Sequence, residues 1–458
     1  MSRPETCLAD DVAVDQAAEI TRAVPEYREF LTLEELEQSS RALARDFPGL
    51  VALEEVGRSA EGRPIELLRV GQGRRAALFV GAPHPNEPVG TLTIEFLSRL
   101  LCEREELRRQ LGRAFLFVKV ADPDGLALNS GWLKGGFDPI TYALNYYRCG
   151  RSEQVEWGFP VRYRTLRFTP ARPESRALMG VIDRYRPSFL HSLHNASFCG
   201  AYLYATRRAP GLFRAFRRVA AMLDLPLHLG EPELPSVKRW GRATFGLFDL
   251  RQLYDAMAGD GQGDPAARLA CGNSVDGYLA GVVPRRLSIV SEVPYFTDPR
   301  LADRRPSAIS RREAALASAA TVESLMREVG QAFALVAPEL PRERLFRSVE
   351  DYLERTPARL RALRVAADTP PFRRAATVAE AMDATVCRPF YSVLYLGTTY
   401  RMAVRAGRRR LATKLRRRVE AEIGCLRAAC HLRVLPLGRL VALQAATSLV
   451  AVGMRPGG

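Results

Sequence analysis

The feature that most constrains this chain is an alternation between short, almost unbroken apolar runs and longer stretches with helical apolar spacing. "LVALEEVG", "PIELLRVG" and "RAALFVGA" come first, then "VGTLTIEFLSRLLCE", then "AFLFVKVADPDG". A run with no polar alternation has no wet face, so it predicts a strand covered on both sides. Helical segments between such strands supply the covers, and together they predict an α/β sheet flanked by helices. The alternation repeats in "RPESRALMGVIDRYRP", "SFLHSLH", "GAYLYATR" and "RRLSIVSEVPYF". Ahead of it, "TLEELEQSSRALARDFPG" places Thr32 and Glu35 in capping-box spacing and predicts a helix closing at Gly49. Beyond about residue 300 the strand signals fade and helix-like segments take over. The predicted organisation is an N-terminal helical lead over 1–49, an α/β domain over 50–305 and a helical, basic C-terminal region over 306–458.

Length and composition fit that plan. A chain of 458 residues exceeds what one hydrophobic core usually serves, which favours a large domain with an addition. The opening "MSRPETCLADDVAVDQ" is acidic and lacks the charge and apolar pattern of a secretory leader, so a cytoplasmic setting is expected. Eight scattered cysteines with no C-x-x-C pair point to neither a disulfide framework nor a cysteine-type zinc site. The formal charge of +16 is concentrated at the C-terminal end, where residues from 301 onward hold 28 basic and 14 acidic side chains. Its peak, "RAGRRRLATKLRRRVEAE", raises nucleic acid or an anionic membrane as a partner. Leu411, Leu415 and Val419 recur at helical spacing within it, so the favoured reading is the solvated face of an amphipathic helix. The apolar "LPLGRLVALQAATSLVAVGM" is interrupted by Pro436, Gly438 and Arg439 and falls short of the roughly 20 residues a bilayer span needs, which predicts a buried or interfacial helix.

The chemistry begins at "GAPHPNEPVG". His84 and Glu87 follow an apolar strand directly and precede a helix, at the carboxyl-end crevice where open α/β sheets bind ligands. One imidazole and one carboxylate supply two of three zinc ligands and leave a position for water. "SFLHSLHNASF" offers the third. Strand side chains alternate, so His191 and His194 point oppositely and only one reaches the crevice. His194, at the strand exit, is the expected ligand, and His191 is expected inside the sheet. In "LSIVSEVPYF", Glu292 sits at the end of another apolar strand, where a carboxylate is costly to bury without a partner, and it is the candidate general base.

Taken in order, H-x-x-E, "DPDG", the asparagine of "LNYYR" before "WGFP", the "PES-x-AL" helix leading to "SLHN", and the glutamate of "SEVPYF" resemble the zinc carboxypeptidases of the carboxypeptidase A type. The resemblance covers residues 50 to 300. It implies a mixed, eight-stranded sheet between helices, one zinc held by His84, Glu87 and His194, and Glu292 as base and proton shuttle. It also implies a grip on the substrate's terminal carboxylate, for which the chain offers Asn145, then Tyr146 where the family has arginine, with Arg148 close by. The oxyanion-steadying arginine has only Lys134 near its place. Val275 falls near the specificity position and implies an apolar or neutral side chain, while Tyr278 and Tyr254 are the candidates for the family's mobile tyrosine. The implied activity is hydrolysis of an amide bond with release of a C-terminal residue from a peptide. The alternatives are a zinc-dependent deacylase or amidase acting on N-acyl amino acids or cell-wall peptides, and a non-catalytic binding protein on the same scaffold.

Overall fold

A computed structural model of the chain describes residues 17–169, 172–232, 237–259 and 263–454. The first sixteen residues of the lead, with Cys7, lie outside them. The lead ends in helix α1 (Leu33–Asp46), where Thr32 and Glu35 form the expected capping box. Strands β1 (Val51–Arg58), β2 (Pro64–Val70) and β3 (Ala76–Gly81) follow, then helix α2 (Val89–Glu103) and strand β4 (Ala114–Val118). Every residue of β3 and β4 is buried, as their continuous apolar sequences require. Next come α3 (Pro123–Leu128), α4 (Pro139–Asn145), α5 (Pro173–Tyr185), β5 (Phe189–Phe198), β6 (Tyr202–Ala205), α6 (Pro210–Met222), β7 (Arg239–Gly241), β8 (Thr244–Gly246), α7 (Val275–Val282) and β9 (Leu287–Thr297). The C-terminal region supplies α8 (Arg311–Val336), α9 (Arg344–Ala367), α10 (Arg388–Arg405), α11 (Arg409–Ala429), β10 (Arg433–Val434) and α12 (Leu437–Gly453).

The sheet is mixed, as expected, with strand order β1-β2-β4-β3-β5-β9-β6-β8-β7 and β10 paired to β9. It has ten strands rather than eight, because the short β7–β8 hairpin extends one edge and two residues of the C-terminal region join β9. The first three strands do not form a simple meander. β3 pairs in parallel with β4 and β5, while β4 inserts between β3 and β2 after the crossover through α2. At the centre, β5 and β9 run in parallel with His194 opposite Glu292.

The C-terminal helices share the main core rather than forming one of their own. Its largest apolar cluster runs from Ala17 through Phe79 and Leu193 to Val452. Helix α12 packs on α2, α6 and β9, and α10 packs on α4. Charges fasten the same seam. The Arg344 guanidinium, at the start of α9, donates to Asp122 at 3.1 Å and to Asp124 at 3.1 Å, both fully buried carboxylates of the "DPDG" motif. Asp122 also caps α3 by accepting from the Gly125 N–H. In α11, Ala412, Leu415, Val419 and Ile423 are buried while the arginines lie outward. Several pair with glutamate, Arg416 with Glu420 at 2.8 Å and Arg418 with Glu328 at 2.9 Å. The amphipathic reading of that helix holds. No described helix is long and apolar enough to cross a membrane, and α12 is buried along most of its length.

Candidate metal centre

The turn after β3 is shaped by close packing at both ends. A Cβ on Gly81 would sit 2.4 Å from the Lys119 carbonyl oxygen, and one on Gly90 would sit 2.6 Å from the Leu193 Cβ. Only glycine lets β3 and the start of α2 approach their neighbours this closely. Ala82 then takes a left-handed φ of 43°, a conformation costly for an L side chain and found where surrounding structure enforces it. The chain bends sharply there and delivers His84 and Glu87 into the crevice. Tyr295 of β9 holds the turn by donating to the Asn86 carbonyl at 3.0 Å.

His84, Glu87 and His194 converge. One donor atom from each lies within 4.8 Å of the others, and all three residues are buried. The rings of His84 and His194 are 5.0 Å apart, nearly perpendicular. Glu87 reaches the His194 Nδ1 at 2.9 Å through Oε2 and accepts from Arg148 at 2.6 Å through Oε1. The Asn195 N–H donates to Glu87 at 3.3 Å, and the Gln444 amide of α12 donates to the His194 carbonyl at 2.8 Å. Glu292 stands 3.8 Å from the His194 Nδ1, brought there by the parallel register of β5 and β9.

The electrostatics favour a cation at this point. Burial and the nearby Arg148 drive His84 well below its usual titration range, so it is a neutral ligand-type imidazole. Its Nδ1 is buried with no hydrogen-bond partner among the described residues. An orphaned buried polar atom is costly unless something outside the protein's own groups satisfies it. Burial alone would raise Glu87, but His84, Arg148 and His194 outweigh it and lower its carboxyl to about 2. For His194 burial opposes charge, yet Glu87, Glu292 and Glu156 raise it to about 9. Two imidazoles and one carboxylate, with one nitrogen unsatisfied, fit a zinc site with room for a further ligand.

The remaining expectations divide. His191 lies in the sheet, 2.8 Å from Ser448 through Nδ1 and 2.8 Å from Ser291 through Nε2, and burial drops it to about 3. Arg148, close to the expected carboxylate grip, is brought to the centre instead. It follows the end of α4 in irregular backbone, which frees it to reach the centre, where it braces Glu87. Lys134 is not at the site: it is bound to Glu29 at 3.1 Å and Glu35 at 2.8 Å on the outer side of the lead, where those two carboxylates neutralise it. Asn145 turns back on its own helix, donating to the Thr141 carbonyl at 3.0 Å. Tyr146 is buried against Tyr142 and Tyr395. Val275 opens α7 inside an apolar cluster with Phe159 and Leu279 rather than lining a cleft. Tyr278 is bound to Asp183, and Tyr254 to Thr165.

Two side chains at the centre were not anticipated. Glu156, from the turn just before "WGFP", accepts from Ser192 at 3.2 Å and lies 4.0 Å from the His194 Nε2. Burial raises its carboxyl to about 7, against the lowering effect of His194 and Ser192. Its place beside the quoted "WGFP" was the available signal. Tyr391 comes from α10, where its hydroxyl accepts from the Ser197 N–H at 3.3 Å. Burial pushes that hydroxyl well above its ordinary range, and Glu292 is among the groups acting on it. No local pattern links "RPFYSVLYLG" to the sheet, so tertiary packing alone reveals it.

A family-model match covers the ligand residues. Residues 36–221, a stretch containing His84, Glu87 and His194, match the family model described as zinc carboxypeptidase. No curated protein matches the chain. Among solved structures, it is similar to a metallo-carboxypeptidase from Burkholderia cenocepacia, at 18% identity over 58% of this chain and 60% of that one, with a TM-score of 0.33. Carboxypeptidase A from Helicoverpa armigera aligns at 17% identity over 64% and 72%, with a TM-score of 0.37. A metallo-carboxypeptidase from Pseudomonas aeruginosa, in complex with (2-guanidinoethylmercapto)succinic acid, aligns at 18% over 58% and 60%, with a TM-score of 0.33. The chain thus spans less than two thirds of the length of the two bacterial proteins. The stretch that matches the zinc carboxypeptidase family model thus contains every donor of the metal centre.

Proposed function

We propose that the protein is a zinc-dependent peptidase that hydrolyses an amide bond and releases a C-terminal residue. The observation that carries this reading is the convergence of His84, Glu87 and His194 around an unsatisfied His84 Nδ1, with Glu292 beside them. Zinc, when bound, polarises the scissile carbonyl and lowers the pKa of its water. His84 and His194 would hold it through neutral nitrogens and Glu87 through its carboxylate. Arg148 keeps that carboxylate ionised and fixed in direction. Glu292 takes up a proton from the attacking water on its carboxylate and returns it to the leaving amine. His84, Glu87, His194 and Glu292 are each at most 8% exposed, so reacting groups meet them largely out of bulk water, where electrostatic effects are stronger. The scattered cysteines support a cytoplasmic setting for this activity.

A second reading is favoured by one observation. The residues expected to grip a terminal carboxylate are engaged elsewhere, Asn145 with its own helix and Arg148 with Glu87, as is Lys134, expected at the oxyanion, with two glutamates. That supports a zinc-dependent deacylase or amidase on N-acyl amino acids or cell-wall peptides, for which such a grip matters less. Matched acyl-dipeptides with free or amidated C-termini separate the two. Cleavage confined to free C-termini supports the exopeptidase. Equal cleavage of both contradicts it and supports the amidase.

A further inference from the structure

A second concave site lies away from the metal centre, between α6 and the β7–β8 hairpin. It encloses about 300 Å³ and is lined by Arg208, Arg214, Arg217 and Arg242, with Phe213 and Trp240 as its apolar wall. That volume is at the lower end of the range for small-molecule pockets. Trp240 stacks on Phe213, with ring centroids 5.6 Å apart and planes 24° from parallel. This fixes the indole without covering it, since Trp240 stays half-buried.

The charge here gathers around one concavity. In α11, which has the densest run of arginines, Arg416 and Arg418 are answered by glutamates. Around the α6 cavity, Arg208, Arg217 and Arg242 have no acidic partner among the described residues, although surface arginines across the rest of the fold pair repeatedly. Burial, together with Arg242 and Arg214, lowers the Arg217 guanidinium below its ordinary range. Holding like charges around one concavity costs stability unless an anion occupies it. A single carboxylate offsets only one of three cations. A phosphate group carries about −1.5 to −2 at neutral pH and offers three acceptor oxygens, which suits forked guanidinium donors.

We propose that the cavity between α6 and the β7–β8 hairpin binds a small phosphorylated ligand, its phosphate held by Arg208, Arg217 and Arg242 and the rest of the molecule set against Trp240. The site is separate from the peptidase centre, and the proposal stands whether or not that reading of the centre is correct.

Calorimetric titration of the full chain at low salt with two probes, inorganic pyrophosphate and ADP, tests this. At least one probe is expected to saturate a single site, and the paired substitution Arg217→Gln with Arg242→Gln is expected to weaken it by at least about tenfold. Arg410→Gln, on the exposed face of α11, is expected to leave binding unchanged. Circular dichroism establishes that each variant is folded. If Trp240→Leu weakens ADP more than pyrophosphate, the ligand class includes a stacked base; if both respond alike, the phosphate alone is read. No saturation by either probe overturns the proposal, as does unchanged binding in the paired variant. Binding of a single-stranded oligonucleotide without either small probe also overturns it.

Discussion

The α/β part and the C-terminal helices use buried charge in opposite ways. At the metal centre, His84, Glu87 and His194 converge while one nitrogen stays unsatisfied, so the arrangement is complete only with something added. At the α9 seam, Arg344 is answered by Asp122 and Asp124 within the protein. The first is a site and the second is a fastener. Buried charge alone therefore does not mark function; what separates the two places is a cluster of ligand-type side chains with a nitrogen left over. The two regions also depend on each other. Gln444 of α12 holds the His194 carbonyl, and Ser448 of the same helix holds His191.

The largest effect that tests this contrast is expected at Glu292. Glu292→Gln should retain zinc and lose activity by about 10² to 10⁴-fold, the usual value of a positioned general base. A loss of zinc along with activity would mean that Glu292 belongs to the ligand set. The fastener should behave otherwise. Arg344→Ala leaves the buried Asp122 without its ion pair, while Asp124 keeps Arg63, and is expected to lower unfolding stability by about 3–5 kcal/mol, read from denaturant midpoints. Folded variant at saturating zinc should keep its activity per molecule. A stability change below about 1 kcal/mol would show that the seam is held by apolar packing alone.

A smaller effect comes from pH. After chelation His194 titrates at about 9, so at neutral pH it carries a proton that zinc must expel. Folded-state pKa above the ordinary histidine value means the proton is held below about 9 and released above it. Apparent zinc affinity should therefore climb about tenfold per pH unit between 7 and 9 and then level, with about one proton released per zinc. Calorimetry in two buffers of different ionisation heat measures this. An affinity flat across that interval would separate His194 from the metal or from Glu87.

The same contrast explains what the sequence could reveal. His84 and Glu87 were legible because they follow an apolar strand into the turn before a helix, and His194 and Glu292 because they lie on apolar strands, within β5 and β9 rather than at their ends, where period-two alternation dictates which face a side chain takes. His191 was assigned to the interior on the same argument, and Ser448 and Ser291 hold it there. Lys134, Asn145, Tyr146 and Val275 came from motif order, which fixes position along the chain but not the direction of a side chain. Lys134 turned to the lead because Glu29 and Glu35 offered two charges there. Arg148 reached Glu87 because the backbone after α4 is not a strand. Tyr391 and Gln444 arrive from helices 194 and 250 residues beyond the β5 residues they touch, and no local period encodes that docking. The boundary near 305 was drawn from composition, and the core runs across it.

Zinc content per chain tests the central claim most directly. Wild-type protein purified without chelators should hold about one zinc per chain, and His84→Ala should hold close to none while remaining folded. Wild type without stoichiometric metal after zinc loading, or His84→Ala that retains it, would contradict the account.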